Sequence, residues 1–446
     1  MGNIFSCCSL AYNLILALIN RWETRQIDFV LAYTQAKVEC DLYMTIPKGF
    51  KVDDEDQEYV LQLKKNLFGQ KQAGRVWNKH LVQALKLVGF KQSEIDECLF
   101  YKDSVIFVLH TDDSILTGPD SKQLDHVIQQ MKEAGLNLTV EGDIADFLGV
   151  QIQRSDDTFH LSQPHLIKDI LKELRLDSEN STTKLTPSAS SKQLLRHADS
   201  KAFDGHFDYR KVIGKLNYLE KCSRPDITCA VHQAARFVDT PKQEHGKAIK
   251  WLGRYLKATQ DKGIIYSPQL DNGFHVYVDA SFAGDWDQVN AEWDADTARS
   301  RAGYVIMYAN CPILWTSKMQ SEIALSSTES EYLAISAATR EVLPIIELLR
   351  EMEKHKCGFV FSPPVINCRV FEDNSGAVEI ANGAKSPKMR PRTKHINVKY
   401  HHFRSKVLSG EMTIEQVSTK DMLADLLTKG VNQAVLDKPR PRLMGW

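Results

Sequence analysis

Residues 104–118, SVIFVLHTDDSILTG, are two β-rich apolar runs around a short polar tip. Runs of that length on either side of a tight polar turn read as a β-hairpin. The tip carries two adjacent acids, Asp112 and Asp113, and a second apolar run, RQIDFVLAY (25–33), reads as a strand ending near Asp28. Adjacent acids in a turn are ordinary, and so is an Asp at a strand end. In neighbouring strands the three would crowd together and repel one another unless divalent cations sat among them. Two ions about 3.5–4 Å apart can activate an attacking oxygen and stabilise a leaving one during phosphoryl transfer.

The pattern continues along the chain. EYVLQL (58–63) reads as a strand, and AGRVWNKHLVQALKLVGF (73–90) and PHLIKDILKELRL (164–176) have helical spacing. Residues 181–206 are polar, rich in small side chains and aperiodic, hence a linker. Helical segments follow at 209–222, 225–238 and 242–258. Strands then return in FHVYVDAS (274–281) and AGYVIMYANCPILWTS (302–317), before a long helix (327–354), a strand (365–375) and further helices.

At 446 residues the chain exceeds one ordinary core, and 43% apolar with 25% charged residues is the balance of a soluble globular protein. The nine cysteines form no C-x-x-C pair, which favours reduced thiols in an intracellular protein. The longest early apolar run, LAYNLILALI (10–19), is broken by Asn13 and lacks a basic flank. It falls short of the roughly 18 residues that span a bilayer, so a buried helix is expected. A net charge of −1 gives no global sign of a dedicated nucleic-acid binder, yet residues 385–406 hold eight Lys/Arg, three His and no acid. That run is either a solvated face or a phosphate-tracking surface.

A second set of acids lies downstream: Asp279 at a strand end, Glu331 on a helix, Asp373 at another strand end and Asp425 in a late helix. Singly each reads as a cap or a surface acid; together on a sheet-and-helix unit they could form another two-metal site, this time for hydrolysis.

Five segments in order, RQIDFVLAYTQAKVECDLYMTIPKGF, LKKNLFGQKQAGRVWNKHL, GFKQSEIDECLFYK, LHTDDSILTG and DFLGVQIQR, resemble the reverse transcriptase of copia-type retrotransposon Pol polyproteins. The resemblance implies that Asp28, Asp112 and Asp113 hold two magnesium or manganese ions in a polymerase palm. It places Tyr33 against the sugar 2′ position and Gln72 near the incoming nucleotide or template. His110 and Thr111 replace a usual Tyr and Val in the hairpin, and Gly74 replaces a Pro.

VYVDASFAGDW, ILWTSKMQSEIALSSTESEYLA, VFEDNSGAV and RTKHINVKYHHFR resemble the ribonuclease H domain that follows. This implies Asp279, Glu331, Asp373 and Asp425 as ligands of a second ion pair, with Glu329 competing for the place of Glu331. Ser281, Asn374 and Ser375 become donors to the hybrid, and His395 a substitute for a product-release His. Lys388, Arg390, Arg392, Lys394, His395, Lys399 and Arg404 would track the backbone.

The implied architecture is an α+β / α/β multidomain chain: a non-family extension over 1–10, a palm and the start of a thumb over 11–180, linker and helical connection over 181–270, and a ribonuclease H-like α/β domain over 271–446. Expected partners are an RNA template, a DNA primer, an RNA–DNA hybrid, dNTPs and another Pol chain. The expected setting is cytoplasmic or a virus-like particle. The closing RPRLMGW looks like a natural end, whereas only 27 residues precede Asp28, too few for a fingers subdomain, so weak polymerisation is expected. MGNIFSCCSL also fits N-terminal myristoylation at Gly2 with acylation at Cys7 or Cys8, which would tether the chain to a membrane. The alternative to an enzyme is an inactive remnant or a captured nucleic-acid-binding module.

Overall fold

The computed structural model describes residues 2–50, 59–196, 200–270, 273–284, 286, 295–357, 368–383 and 401–446. The fold is mixed α/β with several sheets. It divides into two units, Met1–Ala145 with Leu348–Phe359, and Asp146–Glu347 with Val360–Trp446.

In the first unit, helix α1 (Gly2–Asn20) leads into strand β1 (Glu23–Phe29). Every residue from Leu10 to Asn20 is buried, including Asn13. Arg21 turns left-handed at φ 54°, and the Trp22 N–H donates to the Ala17 carbonyl at 2.8 Å, a bond that closes the helix end. Among the described residues no helix is long and apolar enough to cross a membrane. The side chains of Gly2, Cys7 and Cys8 lie outside the described set.

A short helix α2 (Ala32–Gln35), a small hairpin of β2 (Tyr43–Thr45) and β3 (Val60–Gln62), and helix α3 (Ala73–Val88) follow. Val76, Trp77, Leu81, Ala84 and Leu85 line one face of α3 at three- and four-residue spacing, and Gly89 ends the helix at φ 100°. The main sheet then forms from β4 (Lys91–Gln92), β5 (Leu99–Lys102), β6 (Val105–His110) and β7 (Asp113–Gly118); helix α4 (Ser121–Glu133) and β8 (Leu138–Gly142) complete the unit's regular elements up to Ala145. The strand order is β4-β5-β6-β7-β1-β8, antiparallel throughout. Ile27, Phe29, Phe107, Leu109 and Leu116 share one core with α3 and α4. Strand alternation sends Ile106, Val108 and Ile115 to the opposite face, where α1 packs on β6 and β7.

The second unit opens with β9 (Asp146–Phe147), β10 (Val150–Ser155) and β11 (Thr158–Ser162), which later pair with β12 (Ile264–Tyr266). Helices α5 (Pro164–Glu173), α6 (Tyr209–Cys222), α7 (Thr228–Ala235) and α8 (Gln243–Ala258) pack as a group between them in sequence. Arg224 is wholly buried there and gives a two-pronged hydrogen bond to Asp226, both arms at 2.8 Å. Its remaining donors reach Thr259, and the Tyr255 hydroxyl donates to Asp226 at 2.6 Å. Arg224→Ala is expected to destabilise this unit by about 3–5 kcal/mol, because Asp226 would be left buried without its cation. Denaturant unfolding of Arg224→Ala beside Arg224→Met/Asp226→Leu checks this: the double variant should recover most of the loss, and an undiminished loss would mean the pair is not the cause.

Strands β13 (Phe274–Ser281), β14 (Arg301–Tyr308) and β15 (Cys311–Met319) form an antiparallel meander. Helix α9 (Ser327–Lys354) leads away, and β16 (Cys368–Glu372) then pairs parallel to β13. Helices α10 (Ser375–Asn382) and α11 (Arg404–Leu408) precede β17 (Met412–Gln416), parallel to β16, and α12 (Asp425–Thr428) follows. The sheet order is β15-β14-β13-β16-β17.

Residues 184–195, inside the expected linker, form neither helix nor strand, yet they are tied down along their length. The Lys184 N–H reaches the Arg254 carbonyl at 3.2 Å, the Trp251 indole donates to the Thr186 carbonyl at 2.9 Å, and the Leu194 N–H donates to Gln233 at 3.2 Å. A Cβ on Gly430 would fall 2.2 Å from the Ser190 carbonyl oxygen, so only glycine lets this strap seat against the C-terminal segment.

Candidate functional site

The register of the first sheet pairs Asp28 of β1 directly with Asp113 of β7. Across the hairpin, His110 faces Asp113, and the Phe29 N–H donates to the Asp112 carbonyl at 3.4 Å. The two-residue tip is Thr111–Asp112, with Thr111 in the left-handed region at φ 59°, a costly conformation for a β-branched residue. The Trp77 indole, buried in the α3 core, donates to the Thr111 carbonyl at 2.8 Å and pins the tip. All three acids are half-buried. Partial burial first, then the charges of Asp112, Asp28 and Glu141, raises the Asp113 carboxyl above its ordinary value, while His110 pulls the other way.

Tyr33 is half-buried against the same core, its ring 4.7 Å from that of Phe68. A Cβ on Gly74 would lie 3.8 Å from the Tyr33 hydroxyl, so the residue that replaces the usual Pro adjoins this ring. Gln72 caps α3 with its backbone carbonyl, which accepts from the Val76 N–H at 3.0 Å, and its side chain makes no capping bond.

The downstream acids draw closer. Asp279 lies on β13 opposite Gly303 of β14. A Cβ on Gly303 would sit 2.7 Å from Leu427 and 2.8 Å from Thr428, so glycine there lets α12 lie on the strand pair. That approach brings the Thr428 hydroxyl to donate to Asp279. Asp373 directly follows β16, parallel to β13, and Glu331 comes from the first turns of α9. Carboxylate oxygens of Asp279, Glu331 and Asp373 lie within 4.8 Å of one another, and no other such group of three occurs among the described residues. Asp28, Asp112 and Asp113 are therefore not gathered to that spacing.

Asp425 stands outside the trio, ion-paired with Lys429 at 2.7 Å. Its charge nevertheless reaches Asp279, whose carboxyl burial and Asp425 together push up to about 7. Burial, then the carboxyls of Glu372, Asp279 and Asp373, push Glu331 up to about 11. Glu372 is completely buried beside them and is raised well above its ordinary value, chiefly by that burial. One oxygen each of Glu331 and Glu372 is buried without a hydrogen-bond partner. Converging carboxylates with orphaned oxygens are a hard-oxygen donor set of the kind that suits magnesium or manganese.

Glu329 takes another role: its carboxylate accepts from the Leu325 N–H at 2.7 Å, at the start of α9. Sequence reasoning missed Glu372, Thr428 and Lys429. Glu372 abuts Asp373 in VFEDNS, and that adjacency was the available signal; Thr428 and Lys429 gave none until α12 was seen on the strand. Asn374 caps α10 by accepting from the Ala377 N–H, Ser375 is exposed, and Ser281 accepts from Gln193 at 3.4 Å.

Lys388, Arg390, Arg392, Lys394, His395 and Lys399 lie outside the described residues. Arg404 is buried, and its guanidinium donates to the Gly383 carbonyl at 2.6 Å. That bond holds it in the packing of α11, so Arg404 is not part of an exposed basic surface.

Residues 6–189 match the family described as reverse transcriptase (RNA-dependent DNA polymerase). The retrovirus-related Pol polyprotein from transposon RE2 of Arabidopsis thaliana is 34% identical over 435 residues, 96% of this chain and 28% of the polyprotein. Its counterpart from transposon RE1 of the same plant is 33% identical over 434 residues, again 96% and 28%. The Pol polyprotein from transposon TNT 1-94 of Nicotiana tabacum is 29% identical over 443 residues, 97% of this chain and 31% of that one. The chain thus spans less than a third of the length of these curated relatives.

Proposed function

This chain belongs to the reverse transcriptase (RNA-dependent DNA polymerase) family of copia-type retrotransposon Pol polyproteins, and we propose that it copies RNA into DNA in its first unit and hydrolyses the RNA of RNA–DNA hybrids in its second. The observation that carries the hydrolytic half is the convergence of Asp279, Glu331 and Asp373 within 4.8 Å. In this reading the β1–β7 sheet is the polymerase palm, the helices from α5 to α8 are thumb and connection, and the sheet β13–β17 is a ribonuclease H-like domain. RNA template, DNA primer and dNTPs are the substrates.

Asp279, Glu331 and Asp373, with Asp425 behind Lys429, would hold magnesium or manganese. Bound there, a pair of such ions would lower the pKa of an attacking water and stabilise the leaving oxygen. The protein's own part is to keep these carboxylates in place. Thr428 fixes one oxygen of Asp279, and Thr419 donates to Asp373 at 2.7 Å. The backbone N–H of Asn374 holds Glu372 at 3.1 Å, behind Glu331. Lys429 balances the charge of Asp425. In the first unit, Asp28, Asp112 and Asp113 would bind the corresponding ions for nucleotide addition, with Tyr33 screening the sugar and Gln72 beside the incoming nucleotide or template.

Magnesium-dependent degradation of a labelled RNA–DNA hybrid by the purified chain tests this. Glu331→Gln is expected to slow cleavage by at least about 100-fold, since several kcal/mol of charge stabilisation is withdrawn. Glu329→Gln, which alters only the helix start, should leave cleavage in place. Equal losses, or cleavage that survives both changes, would reject the assignment.

A further inference from the structure

Between the strap and residues 429–435 lies a cavity of about 480 Å³, with Asp425 in its lining. Ser188, Ser190 and Ser191 form one wall; Lys429, Asn432 and Gln433 form the other. The side-chain donors are hydroxyls, amides and one ammonium, the groups that grip phosphate and sugar oxygens. Asp425 by itself would repel an anion, but Lys429 pairs with it at 2.7 Å while its side chain stays 42% exposed.

The strap wall is held in place. Trp251 and Gln233 bond its backbone, and Gly430 admits the Ser190 carbonyl at a distance no other residue would allow. Ser190, Ser191, Asn432 and Gln433 are nevertheless exposed, so the cavity is open to a ligand as large as a strand.

We propose that this cavity binds the phosphodiester backbone of a nucleic-acid strand adjoining the acid cluster. The segment before the hydrolytic domain then supplies half of that domain's grip on its substrate. The inference takes its substrate from the hydrolytic reading above, and binding measured without metal separates the two.

The full chain is titrated against a labelled RNA–DNA hybrid by anisotropy, without divalent metal. Ser190→Asp/Ser191→Asp is expected to weaken binding by about tenfold at low salt, and the difference should shrink as salt rises. Asn432→Asp/Gln433→Glu, on the opposite wall, should do the same. Asp at 190 can still accept from the Lys192 N–H, and Asp at 432 can still cap the Val435 N–H, so both variants keep the local bonds; thermal melting confirms that they fold. In cleavage assays the loss should fall on KM. Wild-type binding without cleavage, still weakened by both variants, would sink the hydrolytic reading and leave this one standing. Unchanged affinity in both folded variants would overturn it.

Discussion

Asp279→Asn is expected to reduce magnesium-dependent hybrid cleavage by at least about 10³-fold, since it removes charge stabilisation worth several kcal/mol. The same substitution should raise the melting temperature of the metal-free protein at pH 8, an effect opposite in sign to ordinary core damage. The cause is burial. Asp279 keeps its proton up to about pH 7 in the folded chain, against about 3.8 when unfolded. Between those values the folded state binds the proton that the unfolded state has released. Stability is therefore full below about pH 4 and is lost as pH rises to about 7. The metal-free chain should melt lower at pH 8 than at pH 5, and Asp279→Asn should reduce that slope, leaving the share of the likewise raised Glu331 and Glu372. Magnesium should raise the melting temperature more at pH 8 than at pH 5, because binding must displace fewer protons there. Melting curves with and without magnesium at the two pH values decide the matter; a magnesium response that is the same at both, and unaffected by Asp279→Asn, would mean the ion binds elsewhere.

Asp113→Asn should abolish primer extension on an RNA template, again by about 10³-fold or more. Asp113 is the cross-strand partner of Asp28 and adjoins Asp112, and its partial burial together with their charges holds its carboxyl above the ordinary range. Retained hybrid cleavage by the same variant would localise the loss to the first unit. Extension that persists in Asp113→Asn would remove these carboxylates from the polymerase chemistry. A chain that extends no primer as wild type would confine the proposed activity to the second unit.

Local pattern made much of this fold readable. The hairpin 104–118 was legible because its two apolar runs alternate around a polar tip, and α3 because its apolar face repeats at helical spacing and stops at Gly89. Each acid could be assigned to a strand end or a helix from its flanking residues. What could not be read was distance. Whether Glu329 or Glu331 turns inward depends on how Leu325 starts α9, and the closeness of Glu372 follows from β16 lying parallel to β13. Composition read the strap as a linker, and what pins it, the Arg254 carbonyl, the Trp251 indole, Gln233 and glycine at position 430, lies far from it in the sequence. Arg404 failed in the opposite way, since a cation in a basic run found a backbone carbonyl within its own packing.

One feature of α9 bears on how the chain comes off the ribosome. The first unit is not contiguous: it runs to Ala145 and resumes at Leu348. Within the resumed piece, Glu351 accepts from the Ser93 hydroxyl, the Glu94 N–H and the Tyr101 hydroxyl, and His355 stacks on Tyr101 at 4.8 Å. At about 5–20 residues per second, the intervening stretch takes roughly 10–40 s to synthesise. Through that interval the early sheet waits with Ser93 and Tyr101 lacking their acceptor. The amino-terminal third thus cannot complete these contacts until residues 351–355 have been translated.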